Sequence, residues 1–266
     1  MRLKFFIVAS AFAASVLCAS GQTKTYNGSY PNLFDEYGIL AANTRASYSY
    51  REDGEKRIYD GPFNYTFKAY GANNKTGSLK GNFKDNVPVG EWVLEYPCID
   101  APSDWITVKF TINEKGLPDG PASYTCYRLR KGAKVPVAEV KLNYVNGNLN
   151  GKCSMSAPET AYMEKCNISG QYVDGDKSGV WEGTIGTGTD NMFKIKFVND
   201  QAVAAVKIDR ATGDTYEDDD IWSDADYCIG SMDTCGKMSL VPMSSVLELI
   251  YNIRSNRASG SGWDSM

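Results

Sequence analysis

Three sets of residues in this chain could do chemistry. Glu91, Glu95 and Glu182 could pair as the acid and base of glycoside hydrolysis, a reaction that needs two carboxylates at a set separation and no imidazole. Asp218, Asp219, Asp220, Asp224 and Asp226 could surround Ca²⁺ with oxygens, although they lack the spaced alternation and glycine of an EF-hand loop. Cys98, Cys126, Cys153, Cys166, Cys228 and Cys235 could form disulfides. Histidine is absent from the 266 residues, which removes His-based nucleophile activation, His metal ligation and His pH switching.

Each set has a plainer reading. The glutamates occupy outward strand positions, where charge is expected in any case. A run of aspartates is usually a solvated loop. Cysteines can be buried thiols that only pack, and without a CxxC pair they do not read as a metal site. No nucleophile elbow or P-loop is present, and Gly183 to Gly188 lacks the order of a dinucleotide fingerprint. The expectation is a protein without catalysis and without a cofactor.

A fourth set could bind rather than react. Trp92, Tyr96, Tyr124 and Trp181 could form an aromatic platform for a glycan or peptide, with Trp105 beside them but off their register. The alternative is that these aromatics are the core stripe of a sheet.

The elements that must position these residues form an internal repeat. Glycines recur at 61, 90, 120, 151 and 179, at intervals of 29, 30, 31 and 28. Two, four and six residues after each lie mostly apolar residues, such as Phe63, Tyr65 and Phe67, or Trp92, Leu94 and Tyr96. Polar residues fill the gaps, the period-two alternation of half-buried strands. Before the marker glycines sit Asp85-Asn86, Lys115-Gly116, Asn146-Gly147 and Asp174-Gly175, and Asp-Asn, Asn-Gly and Asp-Gly pairs tolerate the positive φ of tight hairpins. Val198-Asn199-Asp200 reads as a decayed sixth turn. The predicted fold is mainly β, an elongated, curved antiparallel meander of stacked hairpins with one short C-terminal helix. That helix is expected over about 244–256, where Ser245 and Glu248 make a capping-box pattern, and it is expected to cover an open edge of the sheet.

The N-terminus reads as an export signal. Arg2 and Lys4 precede an apolar run, Phe5 to Leu17, that is too short to span a bilayer. Cleavage is expected after Gly21, with lipidation at Cys18 as the rival. No later stretch is apolar enough for a transmembrane helix. The six remaining cysteines suit an oxidising compartment, and the pairings expected are Cys228–Cys235, Cys153–Cys166 and Cys98–Cys126. Net charge is −4 and no Lys/Arg run occurs, which gives nucleic acid no electrostatic footing. The chain divides into a signal (1–21), a polar lead-in (22–45), the repeats (46–208), an acidic loop with a helical cap (209–257) and a disordered tail (258–266).

Gly81-Asn82-Phe83-Lys84-Asp85-Asn86, followed by Gly90-Glu91-Trp92, resembles a MORN-type repeat in its bacterial variant form. So does Gly170-Gln171-Tyr172-Val173-Asp174-Gly175, followed by Gly179-Val180-Trp181. The resemblance covers roughly residues 46 to 200 and implies a curved sheet of stacked hairpins. Some relatives of this kind carry antitoxin-like labels, which implies an immunity-type partner of a toxin as a second reading. The first is an exported, non-catalytic scaffold that binds a protein or glycan in the cell envelope or outside the cell. The third is the carboxylate-dependent glycan hydrolase.

Overall fold

A computed structural model of the protein describes residues 22–35, 41–69, 75–98, 103–159, 164–186, 192–209, 211–217, 219–235 and 241–253, without the side chains of Asp219, Asp220 and Trp222. The signal segment with Cys18, the tail 258–266 and Asp218 lie outside the described residues.

One antiparallel sheet of fifteen strands dominates. It opens with β1 (Lys24–Ser29), β2 (Ala41–Asp53), β3 (Lys56–Ala69), β4 (Thr76–Lys84) and β5 (Val87–Pro97). The middle holds β6 (Asp104–Ile112), β7 (Gly120–Arg130), β8 (Ala133–Val145), the short β9 (Asn148–Leu149) and β10 (Gly151–Ala157). It closes with β11 (Cys166–Val173), β12 (Asp176–Ile185), β13 (Met192–Val198), β14 (Gln201–Ile208) and β15 (Thr215–Tyr216). Strands pair in chain order throughout, β9 being a side branch on β8. At ~4.8 Å per step the sheet runs for about 60 Å along its stacking direction. Two helices follow, α1 (Asp219–Gly230) and α2 (Met243–Asn252), joined through a 3₁₀ turn at Ser231–Thr234.

The repeat is built as its spacing predicts. Gly61, Gly90, Gly120, Gly151 and Gly179 all have positive φ, between 69° and 115°. The turn pairs Asp85-Asn86, Asn146-Gly147, Asp174-Gly175 and Asn199-Asp200 are also left-handed at both residues, the signature of a type I′ hairpin turn. The turns are tied to one another. Asn86 N–H donates to the Tyr59 carbonyl, Gly147 to Pro118, Gly175 to Leu149 and Asp200 to Lys177, at 2.8 to 3.1 Å. Each of these four hairpin tips thus hydrogen-bonds back toward the hairpin before it.

The stripe that follows each marker glycine faces one side and is buried throughout, apart from the half-buried Gly183. Phe63, Trp92, Tyr124, Met155 and Trp181 share a single core. Burying each large side chain contributes ~1.5–3 kcal/mol, so a one-residue slip that turned the stripe outward would be ruinous.

Three expectations are corrected here. The lead-in is part of the sheet. Lys24–Ser29 pairs with β2, Tyr26 stacks on Tyr48 at 4.9 Å, and Phe34 packs against Phe67 at 4.8 Å on the inner face. The acidic stretch is helical, because Ile221, Ala225, Cys228 and Ile229 recur at helical spacing and turn inward. Finally, α2 covers the apolar face of the sheet rather than an edge. It touches β5, and the Tyr124 hydroxyl on β7 donates to the Val241 carbonyl just before it, at 3.2 Å. Ser245 does not cap it: Pro242 stands at the N-cap, and the Asp233 carboxylate accepts from the backbone N–H of Ser244 at 2.9 Å.

Candidate functional site

With helices and lead-in over the inner face, the outer face is the surface the sheet presents to solvent. Its side chains fall into rows because neighbouring strands are in register. One row runs Thr66, Ser78, Glu95, Thr107, Thr125 and Glu139, then continues through Ser156, Asn167 and Thr184 on β12. Beside it run Lys109, Ser123, Lys141, Ser154, Ser169 and Glu182. Short hydroxyl and amide side chains therefore alternate with charges at ~4.8 Å intervals.

Between β8 and β13 this face dips into an open concavity of about 400 Å³. Ser156, Asn167, Ser169 and Thr184 line it, with Glu139 at one side and Glu182 toward the other. The Ser156 hydroxyl donates to Asn167 Oδ1 at 2.7 Å. Lys141 lies 2.7 Å from Glu139 and Lys194 lies 3.6 Å from Glu182. The lining mixes these donors and acceptors with apolar surface from Met155, Ile168 and Met192.

It does not offer a pair of reacting carboxylates. Glu139 and Glu182 are three strand steps apart, ~14 Å at strand spacing, where glycosidases need about 5–9.5 Å. The glutamates singled out in the sequence fare no better. Glu91 and Glu95 lie four residues apart on β5, ~13 Å along the strand, and Glu182 is on distant β12. Glu95 belongs to another cluster, where the Tyr127 hydroxyl donates to it and Lys134 Nζ sits at 3.0 Å. Burial would raise its carboxyl, but these two hydrogen bonds outweigh that and hold it below the usual range.

Of the aromatic platform, Trp92, Tyr96, Tyr124 and Trp181 are at most 3 % exposed and belong to the inner core. No ligand reaches them on this fold, for they are the stripe itself. Trp105 has the opposite parity and is half-buried on the outer face, with Lys75 Nζ 5.5 Å from its ring centre. Sequence reading passed over Glu139, Ser156 and Asn167 as site residues. The signal was the alternation, which assigns them outward without saying which outward positions share a hollow.

Of the five aspartates only Asp224 and Asp226 have described side chains, and these two do not converge. Asp224 and Asp226 are exposed on α1, and residues two apart on a helix point to different sides. Asp226 instead meets Lys177 at 3.3 Å. Among the described residues no group of three or more His, Cys, Asp or Glu could hold a metal ion, and no helix is long and apolar enough to cross a membrane.

The six described cysteines are buried thiols, and strand positions set apart the members of two of the expected pairs. Cys153 lies opposite Gly170 and Cys166 opposite Ala157, which puts them ~13 Å apart along the ladder. Cys98 directly follows β5 and Cys126 is on β7, with β6 between them, which puts them ~10 Å apart at strand spacing. A bridge needs Cα atoms within ~7 Å. Cys228 and Cys235 face different neighbours: Cys228 lies on the α1 face that packs on β11, where Cys166 acts on its thiol, and the Cys235 thiol donates to the Tyr124 carbonyl at 3.7 Å. Burial pushes the thiols of Cys126, Cys153 and Cys235 up to about 12, so they are inert toward oxidants and electrophiles.

No protein-family model matches the chain, and no curated protein matches it.

Proposed function

We propose that the chain is an exported, MORN-like repeat scaffold without catalysis, which binds a protein or glycan partner in the cell envelope or outside the cell through its outer sheet face. The observation that carries this reading is the concavity between β8 and β13, set in hydrogen-bonding side chains on the face that the core leaves open. Ser156, Asn167 and Thr184 would contact the partner through hydroxyl and amide groups, and Glu139 and Glu182 would bound the site. Such a surface offers complementary polar contacts beside apolar area.

The test is capture of glycans from an array and of proteins from the native envelope fraction. It compares the wild-type chain with a Ser156→Lys/Asn167→Lys variant, which fills the hollow with charge. A Glu91→Lys variant, altered on β5 away from the hollow, serves as control. Loss of the same captured species in the double variant alone supports the reading. Equal capture by all three chains overturns it.

A further inference from the structure

The helical segment is held over the sheet by more than apolar packing. On α1, Ile221, Ala225, Cys228 and Ile229 make one buried face, and the helix touches β11 and β14. Cys166 is the first residue of β11. It points to the same inner side as Ile168 and is fully buried. Its ladder partners on both sides, Ala157 and Ile185, are buried and apolar.

Into this apolar spot the structure brings two buried thiols, one from the sheet and one from the helix packed on it, near enough to act on each other. The Cys228 S–H on the Cys166 sulfur holds the Cys166 thiol below its ordinary range, against the opposing effect of burial. The same hydrogen bond, together with burial, drives Cys228 upward. Two of the neighbouring cysteines are placed otherwise: Cys153 is four ladder positions away, and the Cys235 thiol is engaged with the Tyr124 carbonyl.

We propose that Cys166 and Cys228 form a disulfide that fastens α1 to β11 across the core. The step is thiol–disulfide exchange with a small-molecule or protein disulfide as oxidant. The Cys166 thiolate attacks one oxidant sulfur and expels the other as a thiolate, which gives a mixed disulfide. Cys228, losing its proton, attacks the Cys166 sulfur and expels the second oxidant thiolate. The protons of Cys166 and Cys228 end on the two released thiols, and the oxidant is reduced by the two electrons the pair gives up. Burial of both sulfurs means that the exchange takes place during folding, or when α1 lifts from the sheet, and that the finished bond is shielded from reductants.

The experiment uses the full chain, unfolded under reducing conditions and refolded with oxidised glutathione in excess. Remaining thiols are alkylated, and the protein is digested without reduction for mass spectrometry. The expected product is one peptide pair joining Cys166 to Cys228, unchanged in a Cys153→Ser variant. A link from Cys166 or Cys228 to any other cysteine overturns the proposal, and so does alkylation of both. Thermal unfolding supplies a second readout. The oxidised wild-type chain should melt higher than its reduced form, by on the order of 10 °C for a loop this long. Cys228→Ser should abolish that gap. A gap that persists in the variant, or is absent from the wild type, also counts against the bond. Should the variant fail to fold, peptide mapping of the wild-type chain decides alone.

Discussion

The indole of Trp181 lies directly against the backbone of Gly170, where an added Cβ would come within 2.1 Å of the ring. The second copy repeats this, with Trp92 equally close to Gly81. In both, an aromatic meets the indole edge-on, Tyr172 at 5.2 Å and Phe83 at 5.1 Å. The conjunction of glycine, aromatic and tryptophan in the motif is thus a packing solution: glycine makes room and the tryptophan fills it. Gly170→Ala should destabilise the protein by about 1–3 kcal/mol through overpacking, and Gly81→Ala by a similar amount. The two sites share no partners, so the double variant should be additive within about 0.5 kcal/mol in urea denaturation.

Two other glycines separate backbone strain from crowding. Around Gly175 a Cβ would meet nothing within 4 Å, but its φ is +98°. Around Gly230 the space is equally open, and the backbone is helical at φ −60°. Gly175→Ala should cost about 1–2 kcal/mol from conformation alone, whereas Gly230→Ala should stabilise by about 0.5–1 kcal/mol. The same denaturation measurement on both variants tests the contrast, since the two changes add an identical methyl group.

Asp104 is 1 % exposed and accepts two hydrogen bonds from the Arg128 guanidinium, at 2.6 and 2.8 Å. The Arg128 contact first, then Ser103, holds its carboxyl below the ordinary value of 3.8, with burial opposing. A carboxyl whose folded pKa is depressed contributes stability that is complete above its unfolded pKa and fades as pH falls through the folded one. Stability should therefore drop below about pH 4. Asp104→Asn should flatten that part of the profile, measured as unfolding free energy against pH, and should lower stability at neutral pH.

A short hydroxyl chain links the sheet to the helical cap. Tyr96 and Tyr124 hydroxyls lie 3.1 Å apart, and Tyr124 donates onward to the Val241 carbonyl. Tyr124→Phe should keep the fold, lose about 1 kcal/mol, and speed amide hydrogen exchange in α2 more than in β7. Equal acceleration in both elements would contradict the link.

The sheet was legible in the sequence because its determinants are local. Turn pairs, marker glycines and two-residue alternation each act over a few positions, and Trp92 and Trp181 fall where those rules put them. What escaped was set by contacts distant in the chain. Lys24–Ser29 carries too little apolar pattern to announce a strand, and it becomes one because β2 offers an unpaired edge. The charges of α1 drew attention from Ile221, Ala225 and Cys228, whose inward face has meaning once there is a sheet to cover. Cys228 finds Cys166 across the core, and no spacing rule could have joined them. The hollow between β8 and β13 depends on how five strands lie together, so Glu139 and Asn167 look like ordinary outward residues when read singly.

Pairing strictly in chain order has a kinetic corollary. Each new hairpin closes on a neighbour already formed, and four of the tips have a carbonyl waiting in the preceding one. Contacts of this kind require little loop closure, so the strands can zip from the first to the last as the polypeptide is made. The helices arrive at the very end of that sequence, and their long-range docking over β5, β11 and β14 is the step that must wait for everything else. A chain stopped short of α1 would carry its ladder intact while leaving a greasy flank wet, a form on which quality control could act.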